Sequence, residues 1–147
     1  MNIAAPILLV EDNPMDVDLT RRAFNRHNLL NQLEVARDGQ EALELVEKWS
    51  GWNSVPSMVL LDLKLPKING LEVLRAIRAR ADYGTVPVVV LTSSSEDRDI
   101  REAYSLGANS YIVKPVEFEK FIEVARQIKL YWTVLNTPCM QGCGAAE

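Results

Sequence analysis

The sequence predicts an α/β protein built on a doubly wound, five-stranded parallel sheet. Three observations carry that prediction. Ile7-Leu8-Leu9-Val10 and Met58-Val59-Leu60-Leu61 are unbroken apolar runs with none of the alternation of a half-exposed strand. Such runs suit strands covered on both faces. Strand-like stretches then alternate along the chain with stretches of helical periodicity, which is the pattern of a parallel sheet with crossover helices. Finally, the strand-like runs end in polar residues: Glu11-Asp12, Asp62, Thr92 and Lys114.

Each element has its own reason. The first strand, residues 7–10, gives way to Asn13-Pro14, read as a helix N-cap followed by its first residue. That helix runs to about Arg26, with Val17, Leu19, Ala23 and Phe24 inward. Leu33-Glu34-Val35-Ala36 is a short second strand. Asp38 and Glu41 form a capping-box pattern and open a helix carrying Ala42, Leu43, Leu45, Val46 and Trp49. Residues 50–57, with Gly51 and Pro56, are a loop into the third strand. Leu65-Pro66-Lys67-Ile68-Asn69-Gly70 is rich in turn residues, and a helix over about 71–80 places Val73, Leu74 and Ile77 on one face. Residues 86–91 are a β-branched fourth strand, with Pro87 tolerable at its start. Ser93, Ser94, Ser95 and Glu96 offer caps for a helix carrying Ile100, Ala103, Tyr104 and Leu106, which Gly107 stops. Ser110-Tyr111-Ile112-Val113 is the fifth strand, and residues 117–135 the last helix.

At 147 residues one domain is expected, with a core over about 6–135 and a tail over 136–147. A net charge of −4, with 16 basic residues scattered among 20 acidic ones, gives no support to nucleic-acid binding. No apolar run approaches the roughly 20 residues of a membrane span, and the first residues lack signal-peptide features. A cytoplasmic protein is expected. Cys139 and Cys143, both in the tail and without a neighbouring His, suggest neither zinc nor a structural disulfide. The single histidine, His27, reads as a surface or helix-end residue, Trp49 reads as core, and Trp52 has no assigned place.

In a parallel sheet of flavodoxin-type order 2-1-3-4-5, the ends of strands one, three, four and five converge on the carboxyl edge, where open α/β sheets bind ligands. Glu11, Asp12, Asp62, Thr92 and Lys114 would meet there. Taken singly, Asp62 is as readily a turn residue and Thr92 a strand-end cap. Together they describe a site. Clustered carboxylates repel one another, and a divalent cation such as Mg²⁺, which prefers oxygen ligands, resolves that repulsion. Asp62, ionised at neutral pH, could accept a phosphoryl group as an acyl phosphate. Lys114 would neutralise the phosphoryl oxygens, with Thr92 in reach of another.

With Glu11-Asp12, Asp62, Thr92 and Lys114-Pro115 in this order, and Asp38-Gly39, Pro66 and Gly70 between them, the chain resembles the receiver domain of two-component response regulators, the CheY-like family. The resemblance spans roughly residues 6–135. It implies Asp62 as phosphoacceptor, with Asp12 and Asp62 as direct Mg²⁺ ligands. Glu11 would act through water, and the backbone carbonyl of Lys64 would complete the set. It implies Thr92 and Tyr111 as switch residues, although Tyr111 alone reads as a half-buried strand aromatic. It implies a cis peptide before Pro115. Lys64 and Ser94 fall at positions that tune phosphate lifetime in the family, and whether Lys64 would obstruct or orient the attacking water stays open. The implied partner is a sensor histidine kinase, and the implied activity is phosphoacceptor signalling rather than turnover.

The last helix carries two apolar stripes. Phe118, Ile122, Ala125 and Trp132 would cover a sheet face. Phe121, Val124, Ile128, Tyr131 and Leu135 would be further core, cover for the following loop, or a homodimer contact. Exposed apolar patches usually mark interfaces, so the homodimer is the preferred reading. Tyr131-Trp132, Leu135-Asn136 and Pro138 also resemble the receiver-only regulators paired with phytochrome kinases. A Mg²⁺-dependent phosphatase with an aspartyl-phosphate intermediate is the alternative. The haloacid-dehalogenase type of that enzyme carries Asp-x-Asp where this chain has Asp62-Leu63-Lys64. A flavin carrier is disfavoured because Glu11-Asp12 would repel the cofactor's phosphate.

Overall fold

The computed structural model describes residues 5–26 and 32–114. Five strands, β1 (Ile7–Val10), β2 (Leu33–Ala36), β3 (Met58–Leu61), β4 (Val88–Thr92) and β5 (Ser110–Val113), form one sheet. Its order is β2-β1-β3-β4-β5 and every pairing is parallel. Four helices accompany it among the described residues: α1 (Pro14–Arg26), α2 (Gly39–Glu47), α3 (Gly70–Ala79) and α4 (Asp97–Ser105). The expected doubly wound sheet and its strand order are therefore present. The predicted last helix, its dimer residues Phe121, Val124, Ile128, Tyr131 and Leu135, the Lys114-Pro115 peptide, His27, Cys139 and Cys143 lie outside the described residues.

The apolar runs lack alternation because both faces of the sheet are buried. Successive side chains of a strand point to opposite faces, and the core divides by that parity. Leu8, Val10, Val59, Leu61, Val88 and Val90 pack with Ala42, Val46, Val73, Leu74, Ile77 and Ala103 of α2, α3 and α4. Ile7, Leu9, Met58, Leu60, Val89 and Leu91 pack with Val17, Ala23 and Phe24 of α1. In α1 the buried position next to Leu19 is Thr20, whose hydroxyl donates to the Asp16 carbonyl at 2.8 Å and so is satisfied without leaving the helix.

Helix starts follow the cap residues. Asp38 is extended (φ −155°, ψ 172°) and accepts from the Glu41 N–H at 2.8 Å, the Asp38 half of the predicted capping box. Asn69 caps α3 by accepting from the Leu71 N–H at 2.7 Å. At α4 the cap is Glu96, without a side-chain cap bond. There Ser94 serves the loop, as described below. β4 begins at Val88, one residue beyond Pro87. Proline has no N–H for the ladder, yet the Pro87 carbonyl still accepts from the Val59 N–H at 2.8 Å. Before β3, a short 3-10 turn at Trp52–Ser54 presents Trp52 edge-on to Tyr83, ring centroids 5.0 Å apart. Trp49 is buried, as expected.

Candidate functional site

Strand register assembles the site. Val10 pairs with Leu61, Leu61 with Val90, and Thr92 with Val113. Glu11 and Asp62 therefore leave neighbouring strands abreast, and Lys114 leaves β5 beside Thr92. Three backbone bonds carry the order one residue past the strands: Glu11 N–H to Ala36 O at 2.9 Å, Asp62 N–H to Val10 O at 3.0 Å, and Lys114 N–H to Thr92 O at 2.6 Å. These side chains thus spring from backbone already held by the ladder.

Glu11, Asp12 and Asp62 each place a carboxylate oxygen within 4.8 Å of the others. Glu11 and Asp62 are buried, and Asp12 is exposed. The Lys114 ammonium enters the cluster, donating to Glu11 Oε1, to Asp16 Oδ2 at 2.8 Å and to Asp62 Oδ2 at 3.4 Å. Asp62 Oδ1 accepts from the Lys64 N–H at 3.2 Å, and Glu11 Oε2 from the Asn13 N–H at 3.1 Å. A cavity of about 510 Å³ opens above, lined by residues that include Glu11, Asp12, Asp16, Asp62, Lys64 and Lys114.

Electrostatics define what the cavity can take. Burial pushes the Glu11 carboxyl up to about 7, against the pull of Lys114's hydrogen bond and charge and with a further push from Asp62. Burial also works against the Lys114 ammonium, but its bonds to Asp16 and Glu11 and the charges of Asp62 and Glu11 hold it above the usual lysine range. One ammonium thus contacts three carboxylates, with the exposed Asp12 beside two of them, and leaves the cluster short of positive charge. The donors are all oxygen, two of them buried and one facing solvent. That set fits a hard divalent cation, Mg²⁺ or Mn²⁺, which keeps some of its waters.

The loop after Asp62 is fixed by two close backbone approaches. A Cβ on Gly70 would lie 2.2 Å from the Asp62 carbonyl oxygen and 2.6 Å from Leu63 Cα. A Cβ on Gly39 would lie 2.2 Å from the Ile68 carbonyl oxygen. Between them Lys67 adopts φ 68°, and its ammonium pairs with Asp38 at 3.2 Å.

Of the sequence-predicted residues, the structure gathers Glu11, Asp12, Asp62 and Lys114 around one point. Lys64 lines the cavity with its side chain exposed. Thr92 is fully buried and is not among the residues lining the cavity, its Oγ1 3.5 Å from the Ser94 N–H. Tyr111 is half-buried, and its hydroxyl donates to the Ser94 carbonyl at 2.9 Å. Burial raises the Tyr111 hydroxyl above its ordinary range, so it stays a donor. Ser94 is the joint between these groups: its own hydroxyl donates to Asp99 in the first turn of α4 and accepts from the Glu96 N–H at 3.4 Å.

Two residues escaped the sequence reading. Asp16 contacts Lys114 directly, and Asp99 holds Ser94. Neither left a distinguishing signal, since each is an acid in the first turn of its helix and such acids are ordinary there.

A sequence model of the response regulator receiver domain matches residues 7–126. The probable methanogenesis regulatory protein FilR2 of Methanothrix harundinacea is 46% identical over 131 residues, which cover 88% of this chain and 84% of FilR2. The solved structure of the bacteriophytochrome response regulator AtBRR is 45% identical, covering 90% of this chain and 97% of that one, with a TM-score of 0.69. The Mn²⁺-bound form of the response regulator Rcp1, a protein of Synechocystis, is 31% identical, covering 93% of this chain and 99% of that one, with a TM-score of 0.79.

Proposed function

This chain belongs to the response regulator receiver family, and from that premise we propose that Asp62 is the residue on which it receives a phosphoryl group. Receiver domains take phosphate from histidine kinases, and the chain is a phosphoacceptor signalling protein of that kind. The observation that carries the choice of residue is the position of Asp62. It is buried at the floor of the cavity, one carboxylate oxygen tied to a backbone N–H and the other 3.4 Å from an ammonium. An Asp62 oxygen would form the new O–P bond while the phosphohistidine N–P bond breaks. The leaving nitrogen then takes up a proton from solvent. No base is required, because a carboxylate is already ionised at neutral pH.

Glu11, Asp12 and Asp62, with the Lys64 backbone carbonyl, would hold Mg²⁺. When bound, the ion supplies positive charge to the phosphoryl oxygens and relieves repulsion among the carboxylates. Lys114 would pair with a further phosphoryl oxygen. Thr92, buried next to Ser94, would turn its hydroxyl toward the phosphoryl group. Tyr111, already bonded to the Ser94 carbonyl, would read that movement. A phosphatase reading is not favoured: nothing in the cavity lining supplies the second Asp of an Asp-x-Asp pair, and Lys64 stands there.

The likeness to a bacteriophytochrome response regulator supports a phytochrome as the cognate kinase, and the proposed setting of the exchange is the cytoplasm. FilR2, 46% identical, is named for methanogenesis, so phosphotransfer from a purified phytochrome kinase is the measurement that decides the signal. Incubation with Mg²⁺ and acetyl phosphate or a phosphorylated kinase should give acid-labile label on wild type and none on Asp62→Asn. Label that persists in the variant refutes Asp62 as acceptor.

The apolar stripe that Phe121, Val124, Ile128, Tyr131 and Leu135 form in the sequence supports a homodimer through the helix predicted there. Sedimentation with and without beryllofluoride should show a dimer in at least one condition, lost on Ile128→Glu. A monomer in both removes that part of the reading.

A further inference from the structure

We propose that Asp16 is a positioning residue for Lys114: it gives the ammonium a carboxylate partner outside the metal-binding set, so that Lys114 can give up Glu11 and Asp62 to a divalent cation without becoming an unpaired buried charge. This rests on the receiver reading above only for the identity of the metal ligands.

The geometry begins on α1. Asp16 lies in its first turn, where a carboxylate is favoured by the helix dipole. Its backbone carbonyl accepts from the Thr20 hydroxyl at 2.8 Å, and Asp16 lines the cavity. Its Oδ2 sits 2.8 Å from Lys114 Nζ, closer than the 3.4 Å to Asp62. The Asp16 side chain is 34% exposed, against 3% for Glu11 and 9% for Asp62. Lys114 therefore bridges two environments, with deep carboxylates on one side and a shallow one on the other.

A cation bound by Glu11, Asp12 and Asp62 repels the ammonium. Stripping one partner from a buried charge is costly because the other charge is left uncompensated. With Asp16 in place, Lys114 shifts toward the shallow end of its bridge and stays paired. Without it, Lys114 has only the deep carboxylates, and it competes for them with the metal. Asp16 thus favours the metal-loaded site although it is not a ligand.

The test uses the full chain and Mg²⁺ alone as probe, with affinity read from amide chemical shifts of the cavity residues. Asp16→Asn should weaken Mg²⁺ binding by about three- to fivefold, what a partly exposed ion pair is worth, and Asp16→Glu should recover most of it. The same Asp16→Asn change made in a Lys114→Ala background should have a clearly smaller effect, because there is no ammonium to place. If Asp16 acted only through its own field on the metal, the effect in the Lys114→Ala background would be as large or larger, and that result overturns the proposal. Unchanged or tighter binding in Asp16→Asn alone overturns it as well, since it would mean that Asp16 holds Lys114 in the site against the metal. Circular dichroism before titration shows that each variant is folded. Failure of the receiver reading is separately visible as absence of acid-labile label on wild type.

Discussion

The densest constraint in the site is a hydrogen atom at Gly70. A Cβ there would meet the Asp62 carbonyl oxygen at 2.2 Å and Leu63 Cα at 2.6 Å, and neither is the end of a side chain that could swing away. Gly70→Ala should therefore cost about 1–3 kcal/mol by overpacking and should displace the backbone that aims Asp62. The expected outcome is a lowered urea midpoint together with slower phosphoryl uptake, and a midpoint equal to wild type would show that the loop absorbs the methyl. Gly70 and Asp62 were both legible in the sequence, one as a turn glycine and the other as a carboxylate closing an apolar run. The strand ends could be read because a parallel sheet puts them on one edge whatever the details of packing. Asp16 could not be read in the same way. An acid in a first helical turn is ordinary, and only the path of the Lys114 side chain shows that it reaches this one. Ser94 is, in the sequence, one of four candidate caps for α4. Its hydroxyl instead joins Asp99 and its carbonyl joins Tyr111, contacts set by how α4 and β5 pack rather than by local spacing.

Among the elements, α2 shows how a helix start can also steady the site. Asp38 accepts from the Glu41 N–H and pairs with Lys67, so one carboxylate caps the helix and tethers the loop that follows Asp62. The Glu41 N–H first, and Lys67 after it, hold the Asp38 carboxyl below the usual carboxylate range. A group whose folded pKa lies below its unfolded value stabilises the fold above the unfolded pKa, and that contribution is lost as pH falls through the folded one. Here the window opens below the ordinary value of 3.8. In Asp38→Asn the side-chain oxygen still accepts from the helix, since Asn caps as well as Asp, but nothing titrates. Urea midpoints for this variant should decline less steeply than wild type between about pH 4 and pH 2.5, the acid side of a carboxylate's range. Parallel declines would show that the Asp38 charge does not contribute. The two helix starts read from side-chain caps, Asn13 and Asp38, hold in the structure: Asn13 Oδ1 accepts from the Met15 N–H at 2.9 Å at the start of α1, and Asp38 opens α2. The start of α4, offered Ser93, Ser94, Ser95 and Glu96, takes Glu96, and Ser94 is committed to the loop.

Across the whole molecule, the two edges of the sheet do different work. The carboxyl edge carries uncompensated acids around a cavity, while the amino edge is tied by cations that point into carbonyl groups. Arg80 donates to the Val46 and Trp49 carbonyls at 2.6 and 2.8 Å and so closes the end of α2, with Asp82 as its counter-ion. Arg78 goes further. Its guanidinium donates to the carbonyls of Gly84 and Val86 before β4 and of Gly107 after α4, and to Asn109 Oδ1 before β5. Asn109 Oδ1 in turn accepts from the Val88 N–H at 2.8 Å, so one side chain of α3 registers the starts of two strands. Burial pulls the Arg78 guanidinium below its ordinary range without discharging it, and the carbonyl fork satisfies the donors that burial removes from water. Arg78→Leu keeps the apolar stem but strands those carbonyls, and should cost roughly 2–4 kcal/mol, as expected when hydrogen bonds to a charged group are lost together. Arg78→Lys, with its charge but no planar fork, should recover only part. Because this tether sits at the edge opposite the acids, both variants should bind Mg²⁺ with wild-type affinity at temperatures where they remain folded. Equilibrium unfolding and a Mg²⁺ titration on the same samples check both halves. A large loss of affinity in a folded Arg78→Leu protein would mean that strain at the amino edge reaches the carboxyl edge through β4, and that stability and chemistry in this molecule are not separable.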